Sequence, residues 1–153
     1  MSVREERQRR LPIPDVLAER EGAMLHKAAT AARGLGEERL SAHGLDMRQF
    51  ALLTVLAASG PMSQGELGEQ MSIDRTTMVA LVDEVEQAGL VRRERNRDDR
   101  RAYAVTLTPE GRRLQKRAEQ TLDGVADEFF GRLTRQEREQ LQGFLRRLLD
   151  VRS

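Results

Sequence analysis

Two short extended runs interrupt a chain whose apolar residues otherwise recur at helical spacing. Residues 90–95 form the first run, and in the second, residues 102–107, the side chains alternate between two faces. This alternation predicts two paired β-strands, with the six polar residues 96–101 as the tip of a hairpin. Helical periodicity accounts for the apolar residues on both sides of the hairpin. The chain is therefore predicted to be mainly α-helical with one small β-hairpin.

Four helices are predicted before the hairpin and two after it. Each begins at a residue whose side chain can cap the first turn, and these N-caps are Asp15, Asp46, Ser63, Asp74, Thr108 and Thr134. Ser63 and Thr134 are each followed three residues later by a glutamate, which is the spacing of a capping box. We expect the first helix to end near residues 34–36, the second at residues 59–61, the third at Gln70 and the fourth at Gly89.

The composition excludes several classes of protein. The 153 residues are 39% hydrophobic and contain no cysteine, so one domain can bury a core without disulfides, thiolate zinc sites or thiol redox chemistry. His26 and His43 lack a third histidine that could complete a metal site, and no metal or cofactor is expected. We find no nucleophile with a spaced base and no glycine-rich phosphate loop, so an enzyme is not expected.

The N-terminal segment and the apolar runs predict the location of the protein. The first ten residues carry four Arg and two Glu, where a signal peptide would need an apolar run. The longest nearly apolar stretch, residues 50–58, is too short to span a bilayer. We therefore expect a cytoplasmic protein that has no membrane partner.

Charge is unevenly distributed along the chain. The totals of 26 basic and 25 acidic side chains give a net charge of +1. Residues 92–117, however, contain nine Arg and one Lys against four acidic residues, a local net charge of +6. A basic segment on a mildly acidic body is typical of a nucleic-acid-binding protein. An arginine-rich surface that faces only solvent is the alternative interpretation.

Two short helices joined by a tight turn, followed by an arginine-rich hairpin, are the arrangement of a winged helix-turn-helix. The second of these helices, which begins at Asp74, can enter a major groove while the hairpin tip reaches the backbone or minor groove beside it. The candidate DNA contacts on this helix are Arg75, Thr76 and Thr77. Its later turns are expected to stay away from phosphate because they carry Asp83, Glu84 and Glu86. Alternatively, the threonines only help to cap the helix.

The hairpin tip carries the candidate minor-groove contacts, which are Arg97, Arg100 and Arg101. A narrow minor groove has a strongly negative potential that favours an inserted arginine. The adjacent Asp98 and Asp99 carry the opposite charge, but a carboxylate can hold a guanidinium in a fixed orientation for insertion. An exposed ion pair of little energetic value is the alternative.

Several motifs distributed over residues 15–150 occur together in one known family. They are Gly44-Leu45-Asp46-Met47-Arg48-Gln49-Phe50, Ser63-Gln64-Gly65-Glu66-Leu67, Asp74-Arg75-Thr76-Thr77-Met78-Val79, Glu86-Gln87-Ala88-Gly89-Leu90-Val91 and Leu107-Thr108-Pro109-Glu110-Gly111. A more specific signature, Asp-x-Arg followed six residues later by Leu-Thr, is met by Asp99, Arg101, Leu107 and Thr108. Together these motifs resemble the MarR family of bacterial transcription regulators.

The resemblance implies roles for individual residues. Arg101 would enter the minor groove and Asp99 would orient it, while Ser63 and Gln64 would touch phosphate. The three candidates on the fourth helix would begin the DNA-reading helix. The chain departs from the common family pattern at residues 79 and 80, where Val and Ala replace the usual polar or basic residues. Base-specific contacts in the second turn are therefore not implied.

The last helix predicts self-association. It carries a wide apolar stripe, formed by Leu141, Phe144, Leu145, Leu148 and Leu149. Burial of this stripe within one protomer is the alternative, but the resemblance implies a winged helix-turn-helix flanked by N- and C-terminal dimerisation helices. The expected division is a flexible arm at 1–14, the N-terminal dimerisation helix at 15–45, the winged module at 46–108 and the C-terminal dimerisation helices at 109–153.

These observations predict a dimeric, sequence-specific repressor that binds a pseudo-palindromic operator in double-stranded DNA. A small molecule is expected to release the repressor from the operator. The resemblance implies a phenolic or anionic effector bound between the dimer region and the winged module. His26 and Phe50 are the candidate ligand-binding residues, with a purely structural His26 as the alternative. A winged-helix protein-interaction module without specific DNA binding is the alternative function.

Overall fold

The computed structural model describes residues 12–95 and 103–151, and the predicted wing tip lies between these two ranges. The described helices and strands, in chain order, are α1 (Asp15–Ala18), α2 (Glu21–Ser41), α3 (Met47–Ser59), α4 (Gln64–Met71), α5 (Arg75–Gln87), β1 (Val91–Arg95), β2 (Tyr103–Leu107), α6 (Pro109–Phe129) and α7 (Arg135–Leu148). This order confirms the predicted mainly α-helical fold with a single antiparallel hairpin.

The core lies between α3, α5, α6 and the hairpin. The two strands pair antiparallel, with Val91 opposite Leu107, and the backbone of Met62 adds an isolated bridge to Val105. The fully buried side chains in this core are Leu40, Leu52, Leu53, Leu56, Leu67, Met78, Leu81, Val82, Val85, Val91 and Val105. The hairpin is thus fixed against the helix-turn-helix by its own apolar face.

Five of the six predicted N-caps are confirmed. Their side chains accept hydrogen bonds from the backbone N–H three residues later, and they are Asp46, Ser63, Asp74, Thr108 and Thr134. Ser63 and Thr134 also complete the predicted capping boxes, in which Glu66 and Glu137 accept from the cap backbone N–H. Helix starts were therefore predictable because a short polar side chain satisfies orphan backbone donors locally.

The prediction for the first helix was wrong at both ends. Asp15 is the first residue of the single turn α1, Pro14 precedes it as the cap without a side-chain bond, and the chain becomes extended at Arg20 before α2 begins. At the other end, α2 continues through Gly36 to Ser41. A Cβ at position 36 would lie 2.6 Å from Cε of Met47 and 3.5 Å from Cδ2 of Leu122. Gly36 therefore permits close helix packing and does not end the helix.

Two apolar surfaces at opposite ends of the sequence are left uncovered. No residue of α7 is buried, and Phe144 and Leu148 are 57% and 74% exposed. The exposed apolar residues near the other end of the chain are Val16, Leu17, Met24 and Leu25. The helices in the described ranges include none with the length and apolar character needed to cross a membrane.

Candidate nucleic-acid interface

The turn between α4 and α5 is tight because Ser72 in the turn and Gly68 on α4 permit a close backbone approach. Ser72 adopts a left-handed conformation with φ of 53°, and the N–H of Ile73 donates to the carbonyl oxygen of Gly68 at 2.9 Å. A Cβ at position 68 would lie 2.9 Å from the carbonyl oxygen of Ile73, so glycine allows the contact. This turn fixes the start of α5 relative to α4.

Asp74 organises the exposed start of α5. Its carboxylate accepts from the backbone N–H of Thr77 at 3.0 Å and from the Thr77 hydroxyl at 2.6 Å. The side-chain hydrogen bond and then the backbone hydrogen bond from Thr77 lower the pKa of Asp74. The Thr77 hydroxyl is therefore used within the protein, as the capping alternative predicted. Arg75 and Thr76 are exposed, and their side chains have no partner among the described residues.

The start of α4 presents backbone donors more than side chains. The hydroxyl of Ser63 accepts from the N–H of Glu66 at 3.2 Å. The Glu66 carboxylate accepts in turn from the backbone N–H of Ser63 at 2.7 Å, and this bond, followed by the Ser63 side-chain hydrogen bond, lowers the pKa of Glu66. The side-chain oxygen of Gln64 accepts from Arg93, and its Nε2 is buried with no hydrogen-bond partner in the described ranges 12–95 and 103–151. The backbone N–H groups of Gln64 and Gly65, in the first turn of α4, have no partner within the helix.

Arg93 on β1 joins three elements, and the sequence analysis did not identify it. Its guanidinium forms ion pairs with Asp83 and Glu86 on α5, and its Nε donates to Gln64 on α4 at 3.1 Å. Its backbone N–H also donates to Glu86 at 2.8 Å. Partial burial opposes the charged form, but the two carboxylates outweigh it and raise the pKa of Arg93. The side chain is 23% exposed, so one arginine of the basic segment faces the protein.

The wing is anchored at its base. Thr108 donates its backbone N–H to the carbonyl oxygen of Leu90 at 3.0 Å, and its hydroxyl lies 2.7 Å from the carbonyl oxygen of Gly89. Higher on the strands, Arg92 pairs with Glu94 at 2.6 Å, and Tyr103 is 55% exposed opposite Arg95. The predicted tip contacts lie outside the described residues, and they are Arg97, Asp99, Arg100 and Arg101.

The two candidate ligand residues occupy different environments. His26 is exposed on α2, whereas Phe50 is half-buried on α3 and packs against the core. Sequence reasoning missed a pair of polar residues near Phe50: Thr54, one turn later on α3, and Gln115 of α6, which contacts it. Gln115 of α6 is buried, and its Nε2 lies 3.3 Å from Glu119 and 3.5 Å from the hydroxyl of Thr54. The structure therefore places a polar cluster between α3 and α6 and leaves His26 at the surface.

The capped helix pair α4–α5 and the hairpin packed against it define a winged helix-turn-helix protein. The sequence model of the MarR family matches residues 45–103. An HTH-type transcriptional repressor of Mycobacterium bovis is 31% identical over 127 residues, which cover 83% of this chain and 91% of that protein. The chain belongs to the MarR family.

Another relative shares a smaller part of its length with this chain. A protein of Thauera aromatica, described as a transcriptional regulatory protein for the hcr operon, is 35% identical over 99 residues. The match spans 65% of this chain and 60% of the Thauera protein, which is less than two thirds of that relative. Both relatives are described as regulators of transcription, and neither is described as an enzyme.

Solved structures with the same fold include complexes with DNA and with a small molecule. A cysteine-to-serine mutant of MarR from Escherichia coli, complexed with operator DNA, has a TM-score of 0.77 and 25% identity, covering 84% of this chain and 92% of that chain. CouR from Rhodococcus jostii RHA1, bound to p-coumaroyl-CoA, has a TM-score of 0.80 and 26% identity, and the match covers 92% of this chain and 99% of the CouR chain.

Proposed function

We propose that this protein is a dimeric transcriptional repressor that binds a pseudo-palindromic operator through α5 and the wing. The observation that carries the proposal is the exposed first turn of α5, where Arg75 and Thr76 have no described partner while Asp74 fixes the helix start. A long cation and a hydroxyl at this position can reach base edges or phosphates in a major groove. The solved E. coli MarR complex with operator DNA supports the same use of this fold.

The α4 start contributes positioning contacts in this proposal. The free backbone N–H groups of Gln64 and Gly65 and the hydroxyl of Ser63 bind one phosphate at the positive end of the helix dipole. The Gln64 side chain serves the protein interior through Arg93. At the wing, Arg101 enters the minor groove, Asp99 orients it, and Arg97 and Arg100 lie against the flanking backbone.

Dimerisation supplies the second recognition helix, which binds the second half-site of the operator. The exposed apolar residues of α7 and those near the start of α2 form the surfaces that pair, so residues 15–45 and 109–153 act as the dimerisation region. Two recognition helices related by a twofold axis fit half-sites about one helical turn apart, or 10 base pairs. The dimer therefore requires an operator whose two halves are inverted copies.

A small phenolic or anionic ligand releases the repressor in this proposal. CouR, which shares the fold, is bound to p-coumaroyl-CoA, a ligand with both characters. In this chain the half-buried Phe50 is the aromatic candidate for contact with such a ligand, and Thr54 on the same helix and the buried Gln115 of α6 are the polar candidates. His26 lies at the exposed edge of α2. Such a ligand acts only if it binds more tightly to a dimer whose recognition helices no longer match the operator spacing.

The proposal is tested by titrating the protein against the DNA upstream of its own gene, at several salt concentrations and with nonspecific competitor. About six to ten neutralised phosphates per dimer predict affinity that falls steeply with salt. Phenolic acids and their thioesters are then added to the complex to look for release. Binding that ignores salt and is removed by competitor, with no site found in a genome-wide selection, would favour the protein-interaction alternative.

Arg101→Ala is expected to weaken operator binding by about 1 to 3 kcal/mol, because the inserted guanidinium is lost. The loss should be largest where A·T-rich flanks narrow the minor groove. Fluorescence anisotropy with paired A·T-rich and G·C-rich flanks measures both effects. Arg135→Ala, at an exposed position on α7, is the control for losing one positive charge. Equal affinities for the wild type and Arg101→Ala would reject the assigned role.

A further inference from the structure

The second half of α5 carries three acidic residues on the helix proposed to enter the major groove. Glu84 is exposed and accepts from the Gln49 side chain at 3.2 Å. Asp83 and Glu86 instead face β1, and both pair with Arg93. The two carboxylates nearest the wing are therefore partly offset by one cation from the wing strand itself.

Every guanidinium nitrogen of Arg93 has a protein partner. Nη1 binds Glu86, Nη2 binds Asp83, and Nε donates to the side-chain oxygen of Gln64 at 3.1 Å. These bonds use three of the five N–H donors of the guanidinium, and they commit a mostly buried side chain to partners within the protein. The contrast is Arg92, the preceding residue, whose side chain is 57% exposed and which, among the described residues, pairs with Glu94 on the same strand.

We propose that Arg93 is a positioning residue for DNA binding, which pairs with Asp83 and Glu86 and offsets part of their negative charge beside the DNA-binding surface. This inference rests on the proposed function, because it concerns how the same DNA-binding surface becomes competent. Without Arg93, two carboxylates on the same helix as Arg75 and Thr76 are left uncompensated, and their repulsion of the DNA phosphates opposes docking. The residue contributes to DNA affinity without touching DNA.

The first test compares two neighbouring arginines. Arg93→Gln is expected to lower operator affinity at least about tenfold, since removing the central cation exposes two negative charges. Arg92→Gln removes the same charge from the same strand and is expected to change affinity less than about threefold, as an exposed pair contributes little. If the two variants weaken binding equally, the wing acts only through its total charge and the proposal is overturned.

The decisive variant removes all three charges together. In Arg93→Gln/Asp83→Asn/Glu86→Gln the three side chains remain polar, but the two carboxylates that Arg93 offsets are gone as well. Operator affinity should therefore return to within about threefold of the wild type. If Arg93 contacted phosphate directly, this triple variant would still lack that contact and would bind more weakly than the wild type. A triple variant that is folded but still weak therefore overturns the proposal.

Folding and DNA binding are separated by two further readouts. Circular dichroism and urea unfolding report whether each variant is folded, and the triple variant answers the question even if Arg93→Gln does not fold, because it leaves no unpaired charge. Binding of the wild type to the operator reports on the proposed function itself. If the wild type does not bind the operator, the proposed function is refuted. If the wild type binds but the folded triple variant remains weak, only the role of Arg93 is refuted.

Discussion

Gly111→Ala is expected to destabilise the fold by about 3 kcal/mol or more, at the upper end of overpacking effects. Gly111 lies in the first turn of α6, directly against the base of the wing. A Cβ at this position would overlap the carbonyl oxygen of Leu90 and lie 2.8 Å from its carbonyl carbon. Since the obstacle is backbone, no side-chain rotation relieves the clash, and either α6 or β1 must move.

The clash falls on a joint that several hydrogen bonds already fix. The Thr108 hydroxyl accepts from the N–H of Gly111 at 3.0 Å and lies within hydrogen-bond distance of the carbonyl oxygens of Gly89 and Leu90. The same carbonyl of Leu90 accepts from the Thr108 N–H. Moving α6 away therefore breaks the bonds that hold the wing base, so the energetic cost cannot be relieved locally.

Urea unfolding at a fixed protein concentration measures the effect, with Gly124→Ala as the matched control on the same helix. Position 124 is exposed and has no atom within 4 Å of an added Cβ, so alanine there should stabilise the helix by about 0.5 to 1 kcal/mol. Opposite signs for the two substitutions are the expected result. A Gly111→Ala protein as stable as the wild type would show that the wing base is not held as tightly as the geometry indicates.

Local chemistry explains which parts of the fold the sequence could predict. Ser63, Thr108 and Thr134 cap their helices with groups a few residues away, so the pattern is visible in the chain. The hairpin was also predictable from its short extended runs, although burial along β2 does not alternate strictly, since Ala104 and Val105 are both buried and Tyr103 is exposed. Arg75 and Thr76 were assigned to the DNA surface from their position in the first turn of α5, and the structure exposes both.

Contacts between distant segments explain what the sequence could not predict. Gly36 was taken for a helix end because a glycine has the same sequence signature whether it ends a helix or allows one to pack closely. Arg93 was grouped with a solvent-facing basic segment, since its ion pairs with residues ten and seven positions earlier depend on how β1 lies against α5. The hydrogen bond between Gln64 and Arg93 follows from that packing, and no pattern in the neighbouring sequence predicts it.

Leu148→Glu is expected to convert the proposed dimer into monomers and to lower operator affinity by about 100-fold or more. In a dimer, binding of one protomer to its half-site keeps the second protomer close to the other half-site, and a monomer loses this advantage. Leu148 is 74% exposed in the protomer, so the substitution removes little intramolecular packing. In a dimer, however, a carboxylate would be buried against the apolar residues of the partner without a counter-charge. The expected loss is therefore one of association, with the protomer still folded.

Light scattering at micromolar protein concentration gives the mass, and the same samples are titrated with operator DNA. Gln136→Glu adds an equal charge to the exposed first turn of α7, where the helix dipole favours it, and should remain dimeric with nearly unchanged affinity. This control separates the effect of position from the effect of charge near DNA. A wild-type protein of monomer mass, or a Leu148→Glu protein that stays dimeric, would mean that the α7 stripe is not the dimer interface, and the inverted-repeat operator would lose its structural basis.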